Sequence, residues 1–481
     1  MAQPFVDEWP GLPYRCIMQD ALVMAARDAV EAASPTPVYL RLAAALAAML
    51  SAPDAPAAPS ARGLATALGV NRATANAAYR ELARRGLVEL RRGRQGPRAT
   101  RVPAPAHDAV AEPPAGAVDL ARYAPDRELL PGGRVFAWLG LGEGEGEAVA
   151  QYGNPRGHAP LRRWLQRHLG TFGVQRGEDE IILTSGVQHA LDLLLRALAE
   201  PGLEVIVEDP TYPGLPPLLA THRVIPVPLR VHLDGIHADD VGRFARAARP
   251  RLAILTPTLQ NPSGTVLDAN GRAALHAGLD RLGVTIVEEF FEPGLVVEGE
   301  VPPPLASRDP RVVLVGSFSK ALFPGLRVGW LAGPREIVRR VAEVKVATDL
   351  SGSTFLEAAA HNLCRTGELE HQLGRLREAA RTRTAQVFAA LASAPEGVRT
   401  SRPRGGFSLL VALPPRTSAV ALAARAAAEG VWLLPGPAMS VSGRDDVVRL
   451  AFAAVGGARL DSALARFVAL LARRPECVPV V

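Results

Sequence analysis

The sequence predicts an α/β protein in two parts: a small basic module of three helices and a hairpin, and a larger body built on a mostly parallel sheet. Three observations carry this expectation. Positive charge is concentrated near the start of the chain, a proline- and alanine-rich stretch follows it, and short apolar runs then alternate with helical patterns.

At 481 residues the chain can bury two or three cores, and its aliphatic-rich, aromatic-poor composition is that of a globular protein. The segment Met1 to Glu8 has no basic patch followed by an apolar stretch, so no secretory signal is expected. No apolar run approaches the ~20 residues that span a bilayer. Cys16, Cys364 and Cys477 are far apart and lack metal-ligand spacing, which points to free thiols, a cytoplasmic location and no metal site.

The net charge of +6 is uneven: residues 37–102 hold eleven arginines, no lysine and three acids, a net +8, leaving −2 elsewhere. Such a module is suited to a polyanion. Tyr39 to Leu50 reads as a helix with Leu42, Leu46 and Leu50 on one face. Ser60 can cap a second helix over Ala61 to Leu68, and Gly69-Val70 makes a turn. Asn71 can cap a third helix running to about Arg85, with Ala75, Tyr79 and Leu82 facing the first two. Its opposite face offers Arg72, Thr74, Asn76 and Arg80, able to reach phosphates and base edges. Strands Leu87 to Leu90 and Ala99 to Val102 flank a loop carrying Arg91, Arg92 and Arg94, the arrangement of a winged helix-turn-helix.

This stretch resembles the winged helix-turn-helix of the GntR family of bacterial regulators, through Pro59-Ser60-Ala61-Arg62, Leu64-Ala65, Leu68 to Thr74, Tyr79, Leu82 and Gly86-Leu87-Val88. The resemblance implies that Ser60, Arg62, Arg72 and Thr74 lie at or near double-stranded operator DNA. The expected organisation is an extension over 1–36, the DNA-binding module over 37–102, a linker over 103–117 and the large domain over 118–481.

In the large domain the strand candidates are Val205 to Val207, Leu252 to Leu255, Val284 to Val287, Val312 to Val315 and Val328 to Leu331. Polar clusters follow them, where ligands of such sheets collect. Only two lysines occur against fifty-two arginines. Lysine alone can form an imine with an aldehyde once its pKa falls. Lys320 ends the run Gly316-Ser317-Phe318-Ser319 directly after a strand, whereas Lys345 reads as an ordinary helix residue. Gly186, Val187 and Gln188 open a helix whose N–H groups can hold a phosphate, although such a turn is more often a plain loop. Tyr212 follows a strand and can stack on a flat ring or pack in the core. Asn261 offers an amide, and Arg327 a second grip on a phosphate. Together these are the groups that pyridoxal 5'-phosphate requires.

From about 118 to 475 the chain resembles the fold-type I aminotransferases, which have a large, mostly parallel α/β domain and a smaller C-terminal α/β subdomain. Behind a GntR-type module it is similar to the MocR-type subfamily of regulators. The resemblance implies that Lys320 joins the cofactor aldehyde and that Gly186, Val187, Gln188, Ser317, Ser319 and Arg327 surround the phosphate. It further implies that Tyr212 stacks on the ring, Asn261 bonds its phenolic oxygen and Arg449 holds a ligand carboxylate. Tyr152 would reach the phosphate of a partner subunit in a homodimer.

One motif departs from that pattern. Where the family places an aspartate against the ring nitrogen and a tyrosine soon after, the best register gives Glu289 and Phe291; a slip to Glu288 stays open. Phenylalanine cannot donate a hydrogen bond, and glutamate changes the reach, so transamination is expected to suffer more than exchange of an amine ligand. The reading is a DNA-binding regulator that senses a small amino compound or the cofactor. The alternatives are a working aminotransferase with an accessory module and a DNA-binding protein that no longer takes cofactor.

Overall fold

The structure, a computed structural model, describes residues 26, 27, 30, 37–50, 59–84, 88–89, 98–99, 116–123, 129, 150–242, 250–415 and 417–473. Arg91, Arg92, Arg94, Cys16, Cys477 and nearly all of the predicted extension and linker lie outside these residues. The chain separates into two compact units, Met1–Ala104 and Pro105–Val481.

In the first unit, helices span Val38–Leu50, Ala61–Leu68 and Arg72–Arg84. Strands β1 (Val88–Glu89) and β2 (Arg98–Ala99) pair antiparallel. The Ser60 Oγ accepts from the Gly63 N–H at 3.1 Å, satisfying a donor that the first turn leaves open. Gly69 closes the second helix at φ 65°, a conformation that favours glycine. Leu42, Leu46, Leu64, Ala75, Tyr79 and Leu82 are buried together. The Tyr79 hydroxyl donates to the Pro59 carbonyl at 2.7 Å, tying the third helix to the start of the second.

The second unit contains β3 (Val118–Asp119), β4 (Ile181–Thr184), β5 (Glu204–Asp209), β6 (Ile225–His232), β7 (Gly235–Ile236), β8 (Leu252–Leu255), β9 (Thr285–Phe290), β10 (Val313–Ser317) and β11 (Gly329–Ala332). After these come β12 (Arg399–Thr400), β13 (Ser408–Ala412), β14 (Val431–Trp432), β15 (Leu434–Pro435) and β16 (Val447–Ala451). Eight strands form one sheet in the order β4-β11-β10-β9-β8-β5-β6-β7. Its middle strands β10, β9, β8, β5 and β6 are parallel, while β11 runs antiparallel to both β10 and β4. The sheet is therefore mixed. The Val328–Leu331 run forms a strand as expected, but the short connection from β10 returns it antiparallel, because a parallel return needs a longer crossover.

Residues on β4, β5, β8, β9 and β10 divide between two apolar layers, one on each face. This accounts for their near-continuous apolar sequence. A second sheet, β12-β13-β16-β15, is antiparallel and shares a core with the helix Gly457–Ala472. Among the described residues no helix is long and apolar enough to cross a membrane.

Candidate cofactor and ligand site

Lys320 lies in the turn that follows β10, where Ser317, the last strand residue, pairs with Gly329. Its Nζ donates to the Tyr123 carbonyl and stands 5.1 Å from the centroid of the Tyr123 ring. Burial pushes its ammonium down to about 8; Arg449, Arg122 and Arg327 add to this, and Glu289 opposes it. An amine in that range is neutral in about a tenth of molecules at pH 7, far more than an ordinary lysine, and can act as a nucleophile.

Glu289 is on β9, directly opposite Val315 of β10. Burial pushes its carboxyl up to about 7, against the Thr256 hydroxyl 3.4 Å away and the charge of Lys320. Glu288 faces the other side of the sheet, 3.2 Å from the Arg272 guanidinium and accepting the Leu305 N–H at 2.7 Å. The strand alternation thus places Glu289, not Glu288, on the side of Lys320. Phe291 is buried, its ring edge-on to Tyr123 at 6.1 Å.

Gly186 precedes the helix Val187–Leu198 at φ 101°. A Cβ there would stand 3.2 Å from an Arg327 nitrogen, and a Cβ on Gly329 would fall 2.6 Å from the Gly186 Cα. These glycines let β11, the helix start and Arg327 pack closely against one another. Arg327 donates to the Ser185 carbonyl at 2.7 Å, which holds its guanidinium beside the helix N-terminus. Gln188 donates to the Gly214 carbonyl at 3.0 Å, and its buried Oε1 has no partner. Ser319 is buried. Tyr212 lies close enough to Glu289, Arg327 and Arg449 to feel their charges, while burial pushes its hydroxyl pKa up.

Arg449, on β16, is buried; it donates to the Asn261 Oδ1 at 3.0 Å and to the Ala121 carbonyl at 2.5 Å. Its Nε has no partner, and burial pushes its guanidinium down to about 10. A buried cation bonded to neutral oxygens is suited to take up an anion. Below Asn261, the buried Glu208 accepts from the Thr256 N–H at 2.6 Å and from Gln260 at 2.9 Å.

Lys320, Tyr212, Asn261, Glu289, Arg327 and Arg449 therefore converge, whereas Tyr152 is 89% exposed. Sequence reasoning missed Tyr123, whose carbonyl and ring both touch Lys320; it follows the linker, with no strand or motif to mark it. Lys345 lies on the helix Arg335–Asp349 as expected, but it is fully buried, its Nζ 2.8 and 3.0 Å from the Asp349 carboxylate oxygens. That partner four residues along the helix neutralises it directly, unlike Lys320.

The fold and this constellation define a pyridoxal-phosphate-binding protein of aminotransferase architecture. A family model for aminotransferase class I and II matches residues 132–467, and the chain belongs to that family. It is 31% identical over 343 residues to 2-aminoadipate transaminase of Thermus thermophilus, covering 68% of this chain and 84% of the relative. It is 28% identical over 450 residues to the HTH-type transcriptional regulator TauR of Rhodobacter capsulatus, covering 86% of this chain and 91% of the relative. Among solved structures, LysN, the alpha-aminoadipate aminotransferase of Thermus thermophilus complexed with N-(5'-phosphopyridoxyl)-L-leucine, superposes with a TM-score of 0.70. That match is 27% identical and covers 76% of this chain and 94% of that one. Pyridoxal 5'-phosphate is the cofactor, and the Lys320 amine of lowered pKa, the helix start at Gly186 and the Arg327 guanidinium beside it are compatible with it.

Proposed function

We propose that this protein is a DNA-binding transcriptional regulator of the MocR type whose aminotransferase-class domain holds pyridoxal phosphate and senses a small amino compound or the cofactor. The observation that carries the proposal is the extent of the likeness to TauR. A span of 86% of this chain exceeds what Pro105–Val481 contains, so the likeness runs into the basic N-terminal unit.

In that unit Arg62 on the second helix, Asn71 just before the third, and Arg72, Asn76 and Arg80 on the third are exposed, with Thr74 half-buried. This is the surface a winged helix-turn-helix would lay against DNA, with Ser60 at its edge, and Arg91, Arg92 and Arg94, outside the described residues, would add basic contacts.

When bound, pyridoxal phosphate supplies an aldehyde that joins amines and a ring that draws electrons from them. Lys320 provides the amine for that aldehyde. The helix-start N–H groups of Val187 and Gln188, the Gly186 backbone, Ser317, Ser319 and Arg327 hold the phosphate. Tyr212 stacks on the ring, Asn261 uses its amide nitrogen on the phenolic oxygen, and Glu289 meets the ring nitrogen. Arg449 takes the carboxylate of an amino-acid ligand. The exposed Tyr152 serves the site of a second copy in a homodimer.

The intact Lys320 and Arg449 also favour a second reading, a working aminotransferase with an accessory module. One experiment separates the two. Footprinting of the DNA beside its own coding sequence, with and without an amino-acid panel, is paired with a half-transamination assay. The regulator reading requires a protected site that responds to ligand. Rapid turnover without a protected site would favour the enzyme.

A further inference from the structure

On the far edge of the large sheet from Lys320, the β6–β7 hairpin ends in His232-Leu233-Asp234-Gly235-Ile236-His237, and the helix Asp239–Gly242 follows at once. His232, His237 and Asp240 each bring one ligand atom to within 4.8 Å of the others. The His232 Nε2 lies 2.8 Å from the Asp240 Oδ2, and the two imidazole rings stack at 4.1 Å with 9° between their planes. Asp234 orients the His237 ring through a 3.0 Å contact.

We propose that His232, His237 and Asp240 form a binding site for a divalent transition-metal ion of the Zn2+ or Co2+ type. Two imidazole nitrogens and one carboxylate oxygen are the donor set that such borderline ions prefer. A tetrahedral site with bonds near 2.1 Å places its ligand atoms about 3.4 Å apart, so the cluster needs small adjustments rather than refolding. The buried Asp240 side chain fixes one ligand, while His232 and His237, 29% and 50% exposed, leave an open side for entry and for water. A Cβ on Gly235 would lie 3.3 Å from the Thr265 hydroxyl, so the hairpin abuts the loop that carries Asn261. The ion acts there as a staple between hairpin and helix.

The test uses the full chain, stripped with a chelator and desalted, titrated with ZnCl2 by calorimetry and with CoCl2 by visible absorption. The expected result is one ion per chain, with affinity reduced at least ~10-fold in His237→Gln and in Asp240→Asn. Because the His237 ring is half exposed, His237→Gln keeps the fold even where Asp240→Asn does not. Zn2+ should raise the unfolding midpoint of the wild type and not that of His237→Gln. Absence of saturable binding up to about 1 mM, equal binding by wild type and His237→Gln, or an equal midpoint rise in both would overturn the site.

Discussion

Glu288 and Glu289 are neighbours on β9 and serve opposite faces of the sheet. Glu288 is paired with Arg272 at 3.2 Å within the core, and Glu289 faces the Lys320 side with the Thr256 hydroxyl 3.4 Å away. Burial holds the Glu289 carboxyl up to about 7. Should Glu289 meet the ring nitrogen as proposed, the electron-drawing capacity of the bound cofactor would depend on pH.

The first prediction follows from Glu289. A raised carboxyl pKa lends the folded state stability below about 4.5 that is lost as pH rises through about 7. The unfolding midpoint of the cofactor-free protein should fall between these pH values, with a shallower slope in Glu289→Gln. The visible spectrum of the cofactor-loaded wild type should titrate near pH 7, and that transition should vanish in Glu289→Gln. A spectrum that titrates identically in both proteins would remove Glu289 from the ring nitrogen.

Lys320 sets a second expectation. Its ammonium is depressed to about 8, so the reactive neutral amine gains population as pH rises toward that value. The rate of cofactor attachment to the stripped protein should climb about tenfold per pH unit below 8 and level off above it. Stopped-flow absorption measures this directly. A rate that keeps climbing to pH 10 would mean that the amine is not depressed.

Arg449 is tested through ligand affinity. Arg449→Lys retains a charge but loses the fork that bonds both Asn261 and a carboxylate. Amino-acid binding, followed by the cofactor spectrum, should weaken by roughly 10²-fold, a loss of about 3 kcal/mol. Amines without a carboxylate should be little affected.

The N-terminal unit separates stability from binding. Ser60→Ala removes a cap and should cost about 1 kcal/mol of stability in chemical denaturation. Arg72→Ala, at an exposed position, should leave stability unchanged while lowering the salt slope of DNA binding by about 1.

Much of this architecture is legible in the sequence, because short-range chemistry dictates it. Ser60 and Gly69 bound their helix where side-chain capping and positive φ require. The apolar runs become strands because both faces of the sheet are covered. Lys320 stood out because its residue type is scarce and irreplaceable. What stayed hidden depends on long-range packing. Tyr123 reaches Lys320 across almost two hundred residues, and the burial of Lys345 comes from helix packing that its sequence neighbours do not announce. Between Glu288 and Glu289, strand alternation turns Glu289 toward the Lys320 side and Glu288 toward Arg272, a placement that only the folded sheet reveals.

The central claim is that the amine at Lys320 links ligand chemistry to DNA binding. The most direct measurement is the affinity of the cofactor-loaded wild type and of Lys320→Ala for DNA beside its own coding sequence, with and without amino acids, at fixed salt. The account predicts that at least one amino compound shifts the wild-type affinity several-fold and leaves Lys320→Ala unmoved. Equal responses in the two proteins, or no binding stronger than to unrelated DNA, would contradict it.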